Sequence, residues 1–95
     1  GLYKLNGTSV TAISTSYPAS LSIVAIRTLG NVEGSRIGRD RSVDYGHFDG
    51  DFAELLIFNT ALSDDYISEI EGYLAHKWGL TANLSSDHPY KNNAP

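Results

Sequence analysis

The chain contains no cysteine and no methionine among its 95 residues. The absence of cysteine excludes disulfide cross-links, thiolate metal sites and a cysteine nucleophile. Because methionine is absent, we expect Gly1 to result from processing, from a tag or from excision out of a longer chain. Long apolar runs are also absent: none approaches the ~18–20 residues that span a bilayer, and no signal-peptide pattern is present. We therefore expect no membrane span.

Basic residues are scarce. The chain contains seven lysines and arginines and eleven acidic residues, which gives a net charge of −4. Residues 1–48 hold five basic and three acidic side chains, and residues 49–95 hold two basic and eight acidic ones. Proteins bind nucleic acid largely because their basic side chains release counterions from the phosphate backbone. The basic side chains here are few and scattered, so we do not expect nucleic acid as a partner. Anionic membranes are disfavoured for the same reason.

Most of the first half has the composition of β-strands. Strands are predicted at 2–5, 9–15 and 21–28, with one short strand at 36–39. The segments 9–15 and 21–28 are rich in β-branched residues. Asn6-Gly7 predicts a hairpin turn between the first two. The strongest predicted strand is 52–58 (FAELLIF), which is apolar on both faces except at Glu54. Both faces of such a strand have to be buried, so we expect another sheet to pack on one face and a helix on the other.

A helix is predicted at about 64–78. Ser63 is a favourable N-cap, two aspartates follow it in the first turn, and Gly79 ends the helix. An apolar stripe at helical spacing predicts the buried face and places Trp78 in the core. The members of that stripe are Tyr66, Ile67, Ile70, Tyr73, Leu74 and Trp78. Gly72, inside the helix, has two explanations: another segment packs very close to the backbone there, or nothing selects against glycine. Residues 81–95 are expected to form an irregular tail against the domain surface.

Several segments of the second half resemble one known family. They are GDFAE at 50–54, ALSD at 61–64, IEGYLAHKWGL at 70–80 and HPYK at 88–91. Together they resemble the C-terminal end of LamG-like domains of the concanavalin A-like lectin/glucanase superfamily. The resemblance covers about residues 48–91. It departs from the family pattern at Ser85, where proline is more usual.

The resemblance implies an all-β jelly-roll sandwich with one C-terminal amphipathic helix. Such a fold needs about eight strands, and the sequence predicts only four or five. We therefore expect residues 1–95 to be a single domain or the C-terminal half of a LamG-like domain. The missing strands would come from the remaining half of the parent jelly roll or from a second copy of the chain. The alternative is that the chain forms an independently stable small fold.

The function that this resemblance implies is a non-catalytic carbohydrate-binding or adhesion module of an extracellular or cell-surface bacterial protein. Two alternatives stay open: a fragment of a glycan-cleaving enzyme of the same superfamily, and a structural spacer without a ligand. The enzyme hypothesis uses Asp49, Asp51 and Glu54, whose spacing resembles the acidic motif of the glucanases. If Glu54 is not catalytic, we expect it to pair with Arg36 or Arg39, since a lone carboxylate in an apolar strand is costly.

Two further sites are predicted in the glycine-rich loop. Arg41, Tyr45 and His47 are the candidate glycan-binding residues, because rings and polar groups on loops suit sugar recognition. The acidic residues of the same region predict a Ca²⁺ site, since hard oxygen ligands on flexible loops suit that ion. The candidate calcium ligands are Asp40, Asp44, Asp49 and Asp51.

Overall fold

The structure is a computed structural model that describes residues 1–16, 18–34 and 50–95. The described residues form three β-strands, one α-helix and two short 3₁₀ turns. They are β1 (Leu2–Leu5), β2 (Thr8–Ser9), β3 (Val24–Arg27), α1 (Asp64–Trp78) and the 3₁₀ turns Ala12–Ser14 and Thr81–Asn83. The strands make one antiparallel sheet in the order β2-β1-β3. This part of the chain is therefore a small α+β fold.

The expected jelly-roll sandwich is wrong. That architecture stacks two sheets, whereas the described residues contain one three-stranded sheet and a helix. Residues 52–58, the strongest predicted strand, contain no strand at all. Of residues 9–15 only Ser9 belongs to a strand, and 21–28 shortens to β3. A strand exists only where another strand supplies its backbone hydrogen bonds, so β-propensity alone predicted too many. The predicted strand at 36–39 lies outside the described residues.

The predicted hairpin turn at Asn6-Gly7 is confirmed. Both residues have positive φ, 50° and 82°, which suits a tight turn between β1 and β2. The register pairs Lys4 with Ser9 and Leu5 with Thr8. Asn6 also reaches the approach to β3: its N–H donates to the Ile23 carbonyl at 2.8 Å, and its Oδ1 accepts from the Ile23 N–H at 2.9 Å. The turn thus anchors all three strands.

The bounds of α1 follow from its end signals, as the sequence predicts. The Ser63 hydroxyl accepts the Tyr66 N–H at 3.3 Å, and Asp64 and Asp65 lie in the first turn. At the other end Leu80 donates its N–H to the Ala75 carbonyl at 2.7 Å, beyond a left-handed Gly79. This bond pattern is the expected Schellman cap. The helix ends are therefore local features of the sequence.

A small apolar core joins α1 to the tail and to Ile23, the residue that precedes β3. Ile23, Ala75 and Leu84 are buried together, and Leu74 and Leu80 pack against them. A polar contact also joins the sheet to the start of α1. The Arg27 guanidinium donates to the Leu62 carbonyl at 3.0 Å and to the Asp64 carboxylate at 2.6 Å. The fold therefore depends on a few contacts between distant segments.

The buried face of α1 matches the predicted stripe only in part. Three members of the stripe, Tyr66, Tyr73 and Trp78, are exposed. Ile67 is buried as predicted, and the other buried positions, Glu71, Gly72 and Ala75, lie outside the stripe. Apolar residues occur on more than one side of this helix, and the segments packed on it decide which side is covered. The prediction that Trp78 belongs to the core is therefore wrong.

The tail after α1 is irregular but closely packed. Tyr90 lies directly on Gly72, where an added Cβ would overlap the Tyr90 Cβ and lie 2.9 Å from its Cγ. The His76 Nε2–H donates to the Tyr90 carbonyl at 2.8 Å. Lys91 donates to three carbonyls, those of Thr81, Ala82 and Leu84. Of the two explanations for Gly72, the structure therefore favours close packing, with Tyr90 as the neighbour.

Candidate functional site

Four side chains at the C-terminal end of α1 form an exposed aromatic and polar cluster. We call it the Trp78 surface and define it as Glu54, Tyr73, Lys77 and Trp78. The indole N–H of Trp78 donates to Glu54 Oε1 at 2.9 Å, and the Lys77 ammonium lies 3.0 Å from the same oxygen. Lys77 also donates to the Tyr73 hydroxyl at 3.2 Å. The loop residue Glu54 thereby holds two helix residues in place.

The Lys77 ammonium lies between two aromatic rings. Its nitrogen is 5.4 Å from the centroid of the Tyr73 ring and 5.8 Å from that of the Trp78 ring. Both distances are within the range of a cation–π attraction. Trp78 keeps 39% of its surface exposed and Tyr73 keeps 46%. The cluster therefore offers two rings to solvent while their polar neighbours restrict their movement.

The hydrogen bonds of this cluster shift two pKa values. The bond from Trp78, and after it the bond from Lys77, lowers the pKa of the Glu54 carboxyl. The bond to Glu54, with a smaller contribution from Tyr73, raises the pKa of the Lys77 ammonium. Both groups therefore stay charged at neutral pH. Their opposite charges cancel, so the Trp78 surface carries no net charge.

This arrangement suits a ligand that presents a flat, weakly polar face. Sugar rings stack their C–H faces on exposed aromatic rings and add a few hydrogen bonds at the edge. The indole N–H is already bonded to Glu54, so the free part of Trp78 is its ring face and edge. Because the rings are held before any ligand arrives, less conformational entropy is lost on binding.

Most of the residues predicted for ligand binding lie outside the described part of the chain. These are the glycan candidates Arg41, Tyr45 and His47 and the calcium candidates Asp40, Asp44 and Asp49. The remaining candidate, Asp51, is exposed. Among residues 1–16, 18–34 and 50–95, no three histidine, aspartate or glutamate side chains come together as a metal site.

Among the described residues, Glu54 is paired with Lys77 and Trp78. Arg36 and Arg39, the expected partners, lie outside the described residues. One signal in the sequence pointed to such a contact: an isolated carboxylate in an apolar segment needs a charged or hydrogen-bonding neighbour. No spacing rule identified that neighbour, because 23 positions separate Glu54 from Lys77 and the contact is tertiary.

A second exposed feature is apolar. Five large apolar residues of the 52–58 segment are exposed, and we call them the 52–58 apolar surface: Phe52, Leu55, Leu56, Ile57 and Phe58. Next to it is a groove of about 540 Å³ between the end of β3 and residues 56–62. Its lining combines apolar side chains, such as Ile26, Leu29 and Phe58, with polar ones, such as Arg27 and Asn59. An apolar area of this kind indicates a contact surface for another polypeptide.

Comparison with known proteins adds no family assignment. No protein-family model, no curated protein and no solved structure matches this chain. In the part of the chain that the structure describes, no helix is both long enough and apolar enough to cross a bilayer.

Proposed function

We propose that this chain is a non-catalytic carbohydrate-binding or adhesion module of an extracellular bacterial protein, and that the Trp78 surface is its saccharide site. The observation that carries the proposal is the pair of exposed rings, Tyr73 and Trp78, fixed by Glu54 and Lys77. The resemblance of residues 48–91 to LamG-like domains supports the glycan and the extracellular location. The function is the one that this resemblance implies. The two-sheet architecture that the resemblance also implies is not proposed.

The state of Glu54 argues against one catalytic role, that of a general acid. A glycosidase general acid must keep its proton near neutral pH, which requires a raised pKa. The bonds from Trp78 and Lys77 lower the pKa of Glu54 instead. Glu54 therefore suits a positioning residue for Trp78 better than a proton donor to a glycosidic oxygen.

An oligosaccharide array and a titration with soluble β-glucan test the proposal. The wild-type chain is expected to bind at least one saccharide, and Trp78→Ala to weaken that binding by about tenfold or more. A stacked ring contributes about 1 kcal/mol beyond the area that it buries, and about 1.4 kcal/mol is a tenfold change. Tyr66→Ala is the matched control, because Tyr66 is an exposed aromatic residue of the same helix outside the Trp78 surface.

Two results would reject this site. One is a wild-type chain that binds no saccharide of the array. The other is an equal loss of affinity in Tyr66→Ala and Trp78→Ala, which would mean that the Trp78 surface has no special role. Circular dichroism of each variant shows whether α1 is intact.

A structural role is the second candidate function, and the 52–58 apolar surface favours it. Here the chain would contact the rest of a parent polypeptide, or a second copy of itself, through exposed residues such as Leu55 and Ile57. Saccharide binding is not needed for this role. The two candidates use different residues, so substitutions in one surface leave the other testable.

A further inference from the structure

Strand β3 is an edge of the sheet, and half of its backbone polar groups have no partner among the described residues. The strand order is β2-β1-β3, so β3 pairs with β1 on one side only. The Asn6 N–H donates to the Ile23 carbonyl at 2.8 Å, which shows that residue 23 faces β1. Backbone groups alternate between the two sides of a strand, so Val24 and Ile26 direct their N–H and C=O groups away from β1. Such an edge is a template for a further strand.

This edge is also open and unprotected. Proteins commonly block an exposed edge with lysine, proline or a bulge, whereas β3 contains neither lysine nor proline and pairs with β1 in continuous register. The side chains of Val24 and Ile26 are 59% and 61% exposed. The groove of about 540 Å³ begins at Ile26, so there is space for more chain beside the edge.

The edge carries no uncompensated charge. The charged side chains of the three strands are Lys4 and Arg27, and each is paired with a carboxylate of α1 in the same chain. Lys4 lies 3.5 Å from Glu71, and Arg27 lies 2.6 Å from Asp64. A strongly acidic or basic peptide therefore meets no opposite charge at β3. A neutral apolar strand is the complementary partner, and β3 itself is such a strand, because its one charged side chain is already paired.

The backbone of β3 is complementary to a second β3. When two copies run antiparallel with Ala25 of each on a two-fold axis, Val24 of one copy lies opposite Ile26 of the other. These are the residues whose N–H and C=O groups face outward, so each such pair exchanges two hydrogen bonds. Their apolar side chains also meet as cross-strand pairs. Arg27 lies opposite Ile23 in this register, so no two arginines face each other.

We propose that the chain dimerises by antiparallel pairing of β3 with β3 of a second copy, which joins the two sheets into one continuous sheet. Residues 21–23 of each copy then run past Ile26 of the other copy into the groove. The inference is independent of the proposed saccharide site. It adds to the structural role a contact made by backbone hydrogen bonds, distinct from the 52–58 apolar surface.

Hydrogen exchange of individual amides in the wild-type chain, at low and at high concentration, tests this contact. The Val24 and Ile26 amides have no acceptor in the single chain, so they are expected to exchange rapidly at low concentration. They should become protected over the concentrations at which sedimentation velocity shows a dimer.

Three results would overturn the proposal. An association that leaves both amides exchanging rapidly places the second copy elsewhere, for example on the 52–58 apolar surface. Protection of both amides in a monomeric chain means that another part of the same chain covers the edge. The third result is a chain that stays monomeric, with both amides unprotected, at every concentration.

Val24→Pro removes an outward N–H of β3 and leaves the bonds to β1 intact. Each dimer then loses two hydrogen bonds, and one net bond corresponds to about a fivefold change in affinity, so dimerisation is expected to weaken by about tenfold or more. Ser9→Pro is the matched control at the opposite edge of the sheet. The Val10 N–H donates to the Tyr3 carbonyl at 3.0 Å, so the N–H of Ser9 faces outward from β2. Equal effects of the two prolines would contradict the proposed contact.

A cysteine variant covers the case in which Val24→Pro does not fold. The chain has no cysteine, so Ala25→Cys can form only an intermolecular disulfide. Opposite residues of a non-hydrogen-bonded antiparallel pair have Cα atoms about 4.5 Å apart, which a disulfide can span. Mild oxidation is therefore expected to link Ala25→Cys into dimers faster than Ser9→Cys, which places an exposed cysteine at the opposite edge. Equal rates of cross-linking would overturn the register.

Discussion

Glu54 illustrates how a single side chain acquires its role from a contact that is distant in sequence. Its carboxylate accepts from Trp78 and Lys77, and this lowers its pKa below the ordinary glutamate value of 4.5. Glu71 is the buried counterpart, held between Lys4 and His88. Neither role could be inferred from spacing along the chain. For Glu54, the apolar segment around it indicated only that the carboxylate needs a charged or hydrogen-bonding partner.

The shifted pKa of Glu54 leads to a prediction at this scale. A carboxyl whose pKa is lowered by folding stabilises its contacts above its ordinary pKa and loses them as the pH falls through the lowered value. The bond from Trp78 should therefore weaken only below the ordinary glutamate pKa, because a protonated carboxyl is a weaker acceptor than a carboxylate. Fluorescence of Trp78, the single tryptophan, reports this change without interference.

Glu54→Gln is the control for that titration. Glutamine still accepts the indole N–H but does not titrate, so the acid transition in Trp78 emission should disappear. Wild-type emission that stays constant down to about pH 2 would contradict the assigned contact.

Helix α1 shows the contrast between local and distant information at the scale of an element. Ser63 and Gly79 define its ends through contacts within a few residues, and the prediction at 64–78 is confirmed. Its buried face was not predictable in the same way. Ile67 and Ala75 face the core, whereas Trp78 does not, because β3 and the tail approach from one particular side.

Gly72→Ala is the corresponding prediction. In an isolated helix this change stabilises by about 1 kcal/mol. Here the new Cβ would overlap Tyr90, and overpacking of this kind costs about 1–3 kcal/mol. We therefore expect no gain and a net loss of up to about 2 kcal/mol in thermal or urea unfolding. A Tyr90→Gly background removes the overlap, so the same change there should stabilise; a stabilising effect in the wild-type background would contradict the packing.

At the scale of the molecule, the described residues contain one apolar cluster, Ile23, Ala75 and Leu84, with two partly buried leucines beside it. Exposed large apolar residues outnumber buried ones in the described part of the chain. In that part, one sheet and one helix supply no second layer over the 52–58 apolar surface. The surface is therefore available for contact with another polypeptide.

Self-association through that surface is the prediction at this scale. Sedimentation velocity is expected to show concentration-dependent association of the wild-type chain, because Ile57 keeps 79% of its surface exposed. Ile57→Lys places a charge in the 52–58 apolar surface and should weaken the association. Asn93→Lys adds the same charge in the exposed tail and should not. A chain that stays monomeric at all concentrations, or equal effects of the two lysines, would contradict this role for the surface.

Turns and helix ends could be read from neighbouring residues because their hydrogen bonds close over two to five positions. The Asn6-Gly7 hairpin and the limits of α1 are therefore properties of short segments. Strand pairing, the covered side of α1 and the partners of Glu54 and Glu71 required coordinates. Each depends on residues that lie far apart along the chain, and many pairings satisfy the same composition. The expected sandwich failed for that reason: residues 52–58 have strand propensity, but no neighbouring strand in the described fold supplies their hydrogen bonds.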